Sequence, residues 1–321
     1  MGKWNGKSLP ARAEAALKEA PLDPKKLMLL HTGVALGVSL AIAVLNLFLD
    51  RQIDTTGGLS GLGLRSILAT AQSVLETLGN LALPFWETGI FAAAFLWATR
   101  QPAENSVLLL GFRRFGPVLR MRILQGFILI LASVVVIQFS STIYMMTPWA
   151  NTAMLQLTTI LGTDTDPIVA IDSLSPEMMQ QLLAAVRPLL IIGGVLLAVV
   201  AIPLLYRMRF APYLQMQQER MGARASIAES FRMTRRNWIA LLKLDLQFWW
   251  FYVLQILTIA LCYGDVILSL CGIAQPWSDM VGFFLFYVLG IAGQLALFTW
   301  ARPKVITSYA IACRELQGYS V

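Results

Sequence analysis

A single acid inside a long apolar run is the residue here best placed for chemistry. Glu87 stands in Pro84-Phe-Trp-Glu-Thr-Gly, within the apolar stretch from Leu81 to Thr99. A charged side chain at the centre of a membrane helix costs about 2.5–3.5 kcal/mol on insertion scales, so it turns to the bundle interior or to water. Pro84 frees a backbone carbonyl nearby, and Gly89 allows a neighbouring segment to approach closely. Glu87 is therefore a candidate protonatable or cation-binding carboxylate. Glu76 and Asn80 share its face if the helix continues outward, which makes Glu76 a second candidate. The plainer alternative places Glu87 near the outer interface, or in a structural hydrogen bond with Gln138, Gln255 or Gln294.

The second set of candidates is basic. Arg207-Met-Arg-Phe-Ala-Pro-Tyr is the most specific motif in the chain. Arg207 and Arg209, two positions apart, point to different sides of a helix, and Pro212 kinks or ends that helix after them. Arginine holds phosphate in a bidentate fork, so a phosphate-bearing lipid or ligand suits this pair. Arg232, Arg235 and Arg236 lie on one face of the following stretch and suit the same chemistry. Ordinary anchoring of a membrane protein by its basic flanks is the simpler account of all five.

Other residues carry less. His31, the one histidine, lies near the start of the first apolar run; it suits a proton relay, or a neutral hydrogen-bonded position within a helix. One histidine without neighbouring Cys or acid ligands makes no metal site. Asp245 suits an ion pair with Arg207, Arg209 or Lys243, or a helix N-terminal charge. Trp249, Trp250 and Tyr252 read as an aromatic belt. Cys262 and Cys271 bracket a turn where a disulfide forms if the surroundings oxidise; three unpaired thiols, with Cys313, is the simpler reading. The chain has no phosphate-cradling Gly-x-x-x-x-Gly-Lys-Ser/Thr loop and no Ser-His-Asp or Cys-His arrangement. A non-enzymatic protein without catalytic residues, metal or cofactor is expected.

The elements that position these side chains follow from composition. Of 321 residues, 57% are hydrophobic and 13% charged, about half the charge of ordinary soluble domains. Lipid absorbs that apolar excess; a soluble core does not. The net charge of +7 does not indicate nucleic acid, because the basic residues flank apolar runs and form no domain of their own. The polar segment 1–26 lacks the apolar core and cleavage site of a signal peptide. Six runs have the roughly 20 apolar residues a spanning helix needs: Leu27–Leu49, Leu81–Thr99, Ile123–Met145, Pro188–Tyr206, Leu244–Cys262 and Val281–Ala301.

Orientation follows from Lys and Arg. With alternate loops on alternate sides, all 25 basic residues but Arg51, Arg65 and Arg187 fall on the side of the N-terminus. Both termini are expected in the cytoplasm. Residues 27–301 form the expected six-helix domain, with an outside loop at about 146–187 and a cytoplasmic tail at 302–321. Ser66–Leu78 reads as interfacial or re-entrant, and Ser175 with Pro176 as a helix start. Basic amphipathic stretches precede each pair of spans: one within 1–26, one at about 104–122 and one at about 207–243. In the second, Leu108, Phe112, Phe115 and Leu119 share a face. In the third, Ile227, Phe231, Trp238, Leu241 and Leu242 share a face beside Arg232, Arg235, Arg236 and Lys243. Such helices lie at the interface, apolar side in lipid or on the bundle, cations near anionic head groups.

Four stretches carry a family resemblance: Leu110-Gly-Phe-Arg-Arg-Phe-Gly; Ile202-Pro with Arg207-Met-Arg-Phe-Ala-Pro-Tyr; Ala228-Glu-Ser-Phe-Arg-Met-Thr-Arg-Arg-Asn-Trp with Leu244-Asp-Leu-Gln-Phe-Trp-Trp; and Pro303-Lys-Val-Ile-Thr-Ser-Tyr-Ala. From about Pro84 onward the chain resembles an uncharacterised family of bacterial integral membrane proteins, domain of unknown function nine-seven-five, found mainly in Firmicutes. It differs in a longer outer loop, in Pro203-Leu for Pro-Gly and in Ala312-Cys for Phe-Tyr. The resemblance implies a helical fold in the bacterial cell membrane and brings no activity. The expectation is an all-α, polytopic, multi-pass membrane protein that binds anionic lipid head groups or a membrane-protein partner. The alternative is a small transporter, proton-coupled in one form, that uses the intramembrane carboxylate.

Overall fold

The computed structural model describes residues 8–20, 23–55, 62–151, 155, 176–217, 221–264 and 279–318. The protein is all-α, with no strand among the described residues. Its helices are α1 (Leu9–Lys18), α2 (Pro24–Thr55), α3 (Leu62–Ala98), α4 (Leu110–Arg113), α5 (Phe115–Met145), α6 (Pro176–Met208), α7 (Ala211–Gln217), α8 (Ala223–Gln247), α9 (Trp249–Cys262), α10 (Asp279–Trp300) and α11 (Arg302–Leu316); a 3₁₀ turn (Asn105–Leu109) leads into α4.

Among the described residues three helical stretches are long and apolar enough to cross a membrane: Pro24–Ile42, Phe115–Met145 and Val186–Gln217. Two bent pairs, α8 with α9 and α10 with α11, bring the count to five if each is one span. The second expected span, Leu81–Thr99, contains a shorter apolar helix, Ala82–Ala98. The architecture is compatible with a multi-pass membrane protein. The described residues hold up to five spans, against an expectation of six.

Two compact units divide the chain, Met1–Arg122 with Phe210–Val321, and Ile123–Arg209. In the first, α3 is the central helix. Ile90, Ala93, Ala94 and Trp97 recur at helical spacing and are fully buried, so one stripe faces inward throughout. Around α3 pack α2, the 3₁₀ turn, α4, α7 and α11; α10 packs on α2 and α9. In the second unit, buried Ser140 on α5 faces Gly193 on α6 and donates to the Val136 carbonyl at 2.7 Å. Tyr144 packs there with Ala150 and Leu189.

Close approach depends on residues without side chains. A Cβ on Gly111 would overlap the Phe85 carbonyl, and one on Gly89 would overlap the Leu108 backbone. This reciprocal contact locks the 3₁₀ turn and α4 onto α3 at the level of Glu87. Phe85 then stacks on Phe115 with ring centroids 4.7 Å apart.

Several expected elements take a different form. Residues 104–122 are not one helix: the 3₁₀ turn, α4 and the start of α5 divide them, because the Gly89–Leu108 and Gly111–Phe85 contacts draw the first part onto α3. Arg120 and Arg122 thus belong to α5. Ser66–Leu78 is neither a separate interfacial nor a re-entrant piece; it continues α3, a helix of 37 residues. At 1.5 Å per residue that is about 55 Å, longer than the hydrocarbon core is thick. The expected tail begins with a helix, α11. This helix is buried continuously from Val305 to Cys313, against α1 and α3. Its Ser, Thr and Ala side chains are small enough for other helices to close on every side.

Within 207–243 lie α7 and most of α8. Ala211–Met216 of α7 are all buried. The Tyr213 hydroxyl donates to the Ile306 carbonyl at 3.2 Å, and Gln215 Nε2 to the Pro117 carbonyl at 2.7 Å. On α8 the buried face is Ser226, Ile227, Ser230, Met233, Thr234, Leu241 and Leu244, whereas Trp238 and Leu242 are exposed. The inward face is therefore rotated toward the hydroxyl side chains. Ser230 accounts for this, since its Oγ accepts the Phe210 backbone N–H at 3.1 Å.

At the other end of α3, Arg100 has φ +56. Gln101 N donates to the Leu96 carbonyl and Arg100 N to the Trp97 carbonyl, a Schellman closure with Arg100 where glycine is the usual residue. A side chain in that conformation costs about 1–2 kcal/mol. Its guanidinium reaches Glu19 beyond the end of α1 at 3.0 Å. Leu9, Ala13 and Ala16 of α1 are buried against α11 and α3, and Arg12 pairs with Glu315.

Two outcomes are expected. Gly111→Ala, which drives a methyl into backbone, should destabilise the protein by about 1–3 kcal/mol, seen as a lower midpoint in thermal unfolding in detergent; an unchanged midpoint would mean the contact is looser than described. The second concerns pH. Hydrogen bonds from Lys304 and then Lys18 hold the Glu14 carboxylate at about 2, below its ordinary 4.5. A depressed acid stabilises the folded state above its unfolded pKa and loses that contribution as pH falls toward the folded value. Exchange protection of α1 amides, corrected for intrinsic rates, should therefore drop between pH 4.5 and 2, and Lys304→Ala should flatten the drop. Protection that does not vary with pH would exclude this pairing as a clamp.

Candidate functional site

Four helices converge on Glu87. Its own helix, α3, contains Pro84, and Thr88 Oγ1 donates to the Pro84 carbonyl at 2.7 Å. Helix α11 begins beside it because the chain bends by 44° between α10 and α11, with Pro303 in the first turn of α11, where its missing N–H costs nothing. That bend delivers Arg302, whose Nη2 donates to Glu87 Oε1 at 2.7 Å. Helix α5 brings Arg122, whose Nη2 lies 3.7 Å from Glu87 Oε2. Helix α2 brings His31, stacked on Trp86 with rings 7° apart in plane. The Trp86 indole N–H donates to the His31 carbonyl at 2.9 Å.

The charges do not balance. Two guanidiniums face one carboxylate, and the start of α11 adds the partial positive charge of a helix N-terminus. The side chains are 16% exposed for Arg302, 27% for Arg122 and 40% for Glu87. At 3.7 Å the Arg122 contact is an ion pair but too long for a hydrogen bond. Accordingly Nε and Nη2 of Arg122 are buried without a hydrogen-bond partner. His31 is 4% exposed, and both its ring nitrogens are also unbonded. Buried donors of this kind are costly and rare in folded proteins.

A cavity of about 280 Å³ opens beside Glu87 and Arg302, and Arg122 is not part of its lining. Ala35, Leu83 and Pro84 form an apolar part; His31, Trp86, Glu87 and Arg302 form a polar one. Phe298 stacks under the Arg302 guanidinium at 4.8 Å. Lys25 lies over the exposed Trp300 ring at 5.1 Å, one residue before the bend. The arrangement can hold a group that is anionic at one end and apolar at the other. No cluster of His, Cys, Asp and Glu fit to hold a metal occurs among the described residues.

The other sequence candidates lie elsewhere. Glu76 is on α3, but its side chain lies outside the described residues. Arg207 is exposed, and Arg209 lies over the Tyr206 ring at 4.7 Å. Arg232 donates to Glu229 at 2.6 Å, while Arg235 and Arg236 are exposed. Asp245 accepts from the Tyr252 and Tyr309 hydroxyls, which are 2.7 Å from each other; this cluster sits at the 62° bend between α8 and α9. Cys262 is a free thiol, and Cys271 lies outside the described residues.

Sequence reasoning did not find Arg122 and Arg302 as partners of Glu87, and named three glutamines instead. Both arginines were counted as topology signals. The expected spans put Glu87 nearer the outer end of its run and both arginines at inner ends, so the sequence carries no signal for this contact. No family model, curated protein or solved structure matches this chain.

Glu87→Gln should leave two arginines facing each other and cost about 1–3 kcal/mol, read as a lower unfolding midpoint in detergent. Adding Arg302→Gln should recover part of that loss. A double variant as unstable as the sum of the two single ones would show that the pair is not coupled.

Proposed function

We propose that the protein is a non-enzymatic membrane component that binds an anionic lipid head group in the His31–Glu87–Arg302 cavity. The observation that carries this reading is a cavity with the Arg302 guanidinium on its polar side and Ala35, Leu83 and Pro84 on its apolar side. A phosphate in the cavity would accept from the Arg302 guanidinium. Its acyl chains would leave along the apolar side.

The surroundings support an inner-leaflet position. Arg235 and Arg236, with exposed Trp238 and Leu242 beside them, would hold the surface to anionic lipid, at about 1 kcal/mol per basic residue near the membrane. Both termini inside a bacterial cell membrane, six spans, and kinship with the nine-seven-five family belong to the same proposal. The one-sided placement of Lys and Arg supports the orientation. Arg207 and Arg209 would act as further head-group contacts.

A second reading is favoured by His31. An unbonded buried imidazole beside an ion-paired carboxylate suits a proton-coupled transporter, with His31 and Glu87 in the path. The two readings differ in outcome, since one retains a ligand and the other turns it over.

Native mass spectrometry of the gently extracted protein should show a stoichiometric anionic lipid. Arg302→Gln should lower its retention about tenfold or more, and Arg207→Ala with Arg209→Ala should have a smaller effect. Bare wild-type protein would count against the lipid reading and direct work to liposome flux assays with Glu87→Gln as control.

A further inference from the structure

A second basic cavity lies away from Glu87, where α1, the end of α3 and α11 meet. It measures about 490 Å³, within the range of small-molecule sites. Arg12, Arg100 and Arg314 line it, over a floor that includes Ala16, Ala98 and Ile311. The three arginines come from segments far apart in sequence, so the fold itself brings their charges together.

Their partners leave a surplus. Arg12 pairs with Glu315, and Arg100 with Glu19 at 3.0 Å. The contact described for Arg314 is the face of Phe95, 5.7 Å from the guanidinium. Two carboxylates thus answer three guanidiniums. Arg100 adds an independent sign. It holds the left-handed backbone position at the end of α3, φ +56, where glycine would carry no strain. Strained backbone persists where surrounding structure enforces it, and such positions gather at binding sites. Here the strain aims a guanidinium at the cavity.

We propose that this cavity binds a small phosphate-bearing anion. Arg314 supplies the charge not already matched by carboxylate, Arg12 and Arg100 complete the cradle, and the alanine and isoleucine floor accepts the rest of the ligand. Arg12 is on α1, so an occupant would also fasten that helix to α3 and α11. The phosphate could belong to a soluble compound or to a lipid head group, and the test separates the two. The proposal does not depend on what fills the cavity at Glu87.

The full chain is placed in nanodiscs of phosphatidylcholine and titrated calorimetrically with inorganic pyrophosphate. Saturable binding is expected, weakened about tenfold or more by Arg314→Gln and by Arg100→Gly. The glycine variant relieves backbone strain and so guards against loss of fold. In a second arm the discs also contain phosphatidic acid. Undiminished pyrophosphate binding there supports a soluble ligand, and competition that Arg314→Gln abolishes supports a lipid head group. Wild-type affinity in both variants, or no binding of either probe, overturns the proposal.

Discussion

The structure around α3 depends on how one acid in an apolar helix is neutralised. Glu87 lies between Arg302 and Arg122, so the carboxylate ties the first turns of α11 and of α5 to α3. A charge in this position is tolerated only when paired or facing a polar cavity; Glu87 has both. Break that pairing and two guanidiniums remain in an electropositive pocket, a worse arrangement than the lone acid. Trp86 and His31 extend the same constraint to α2 through one hydrogen bond and one ring stack.

Packing of the polar layer follows from small residues as much as from charge. Gly89 and Gly111 let α4 touch the backbone of α3. Ser230 receives the N–H of Phe210, and Tyr213 reaches the carbonyl of Ile306. Hydrophobic driving force between helices is weak in lipid, so close backbone approach and such hydrogen bonds carry more of the association. The burial of α7 and α11, both expected at the surface, has this cause. Their sequences are too polar to resemble core by hydropathy, yet their small and hydroxyl-bearing side chains fit where backbones meet.

The all-α class and most long apolar helices were legible in the sequence because a membrane-length run has few alternatives. Glu87 and Gly89 were legible as a site for the same reason: an acid and a small residue stand out against lipid-soluble surroundings. Its partners were not. Arg122 and Arg302 sit 35 and 215 positions away in the chain, and at those positions basic residues have a sufficient explanation in topology. Which part of the apolar face of α8 turns inward was not legible, because hydropathy ranks Trp238 above Ser230, whereas Ser230 is held inward by a hydrogen bond. The burial of α11 was not legible for a related reason, since charges at both ends of the helix conceal its buried middle.

Each polar cluster sits at a break in a helix, and the association is physical. Pro84 interrupts the hydrogen-bond ladder of α3 beside Glu87. The bend before Arg302 places that guanidinium on the cavity, and the bend at Phe248 lies between Asp245 and its tyrosine Tyr252. Arg100 closes the end of α3 by turning left-handed. In lipid, irregular backbone is stable only where protein or a polar cavity satisfies the groups it releases. A break therefore requires a polar pocket, and the side chains that satisfy the backbone are also those able to hold a ligand. The two cavities, one at the bend of α10 and α11 and one at the end of α3, are both sited by that requirement. At the end of α3 the arginines lining the cavity then set the sign of what it can bind.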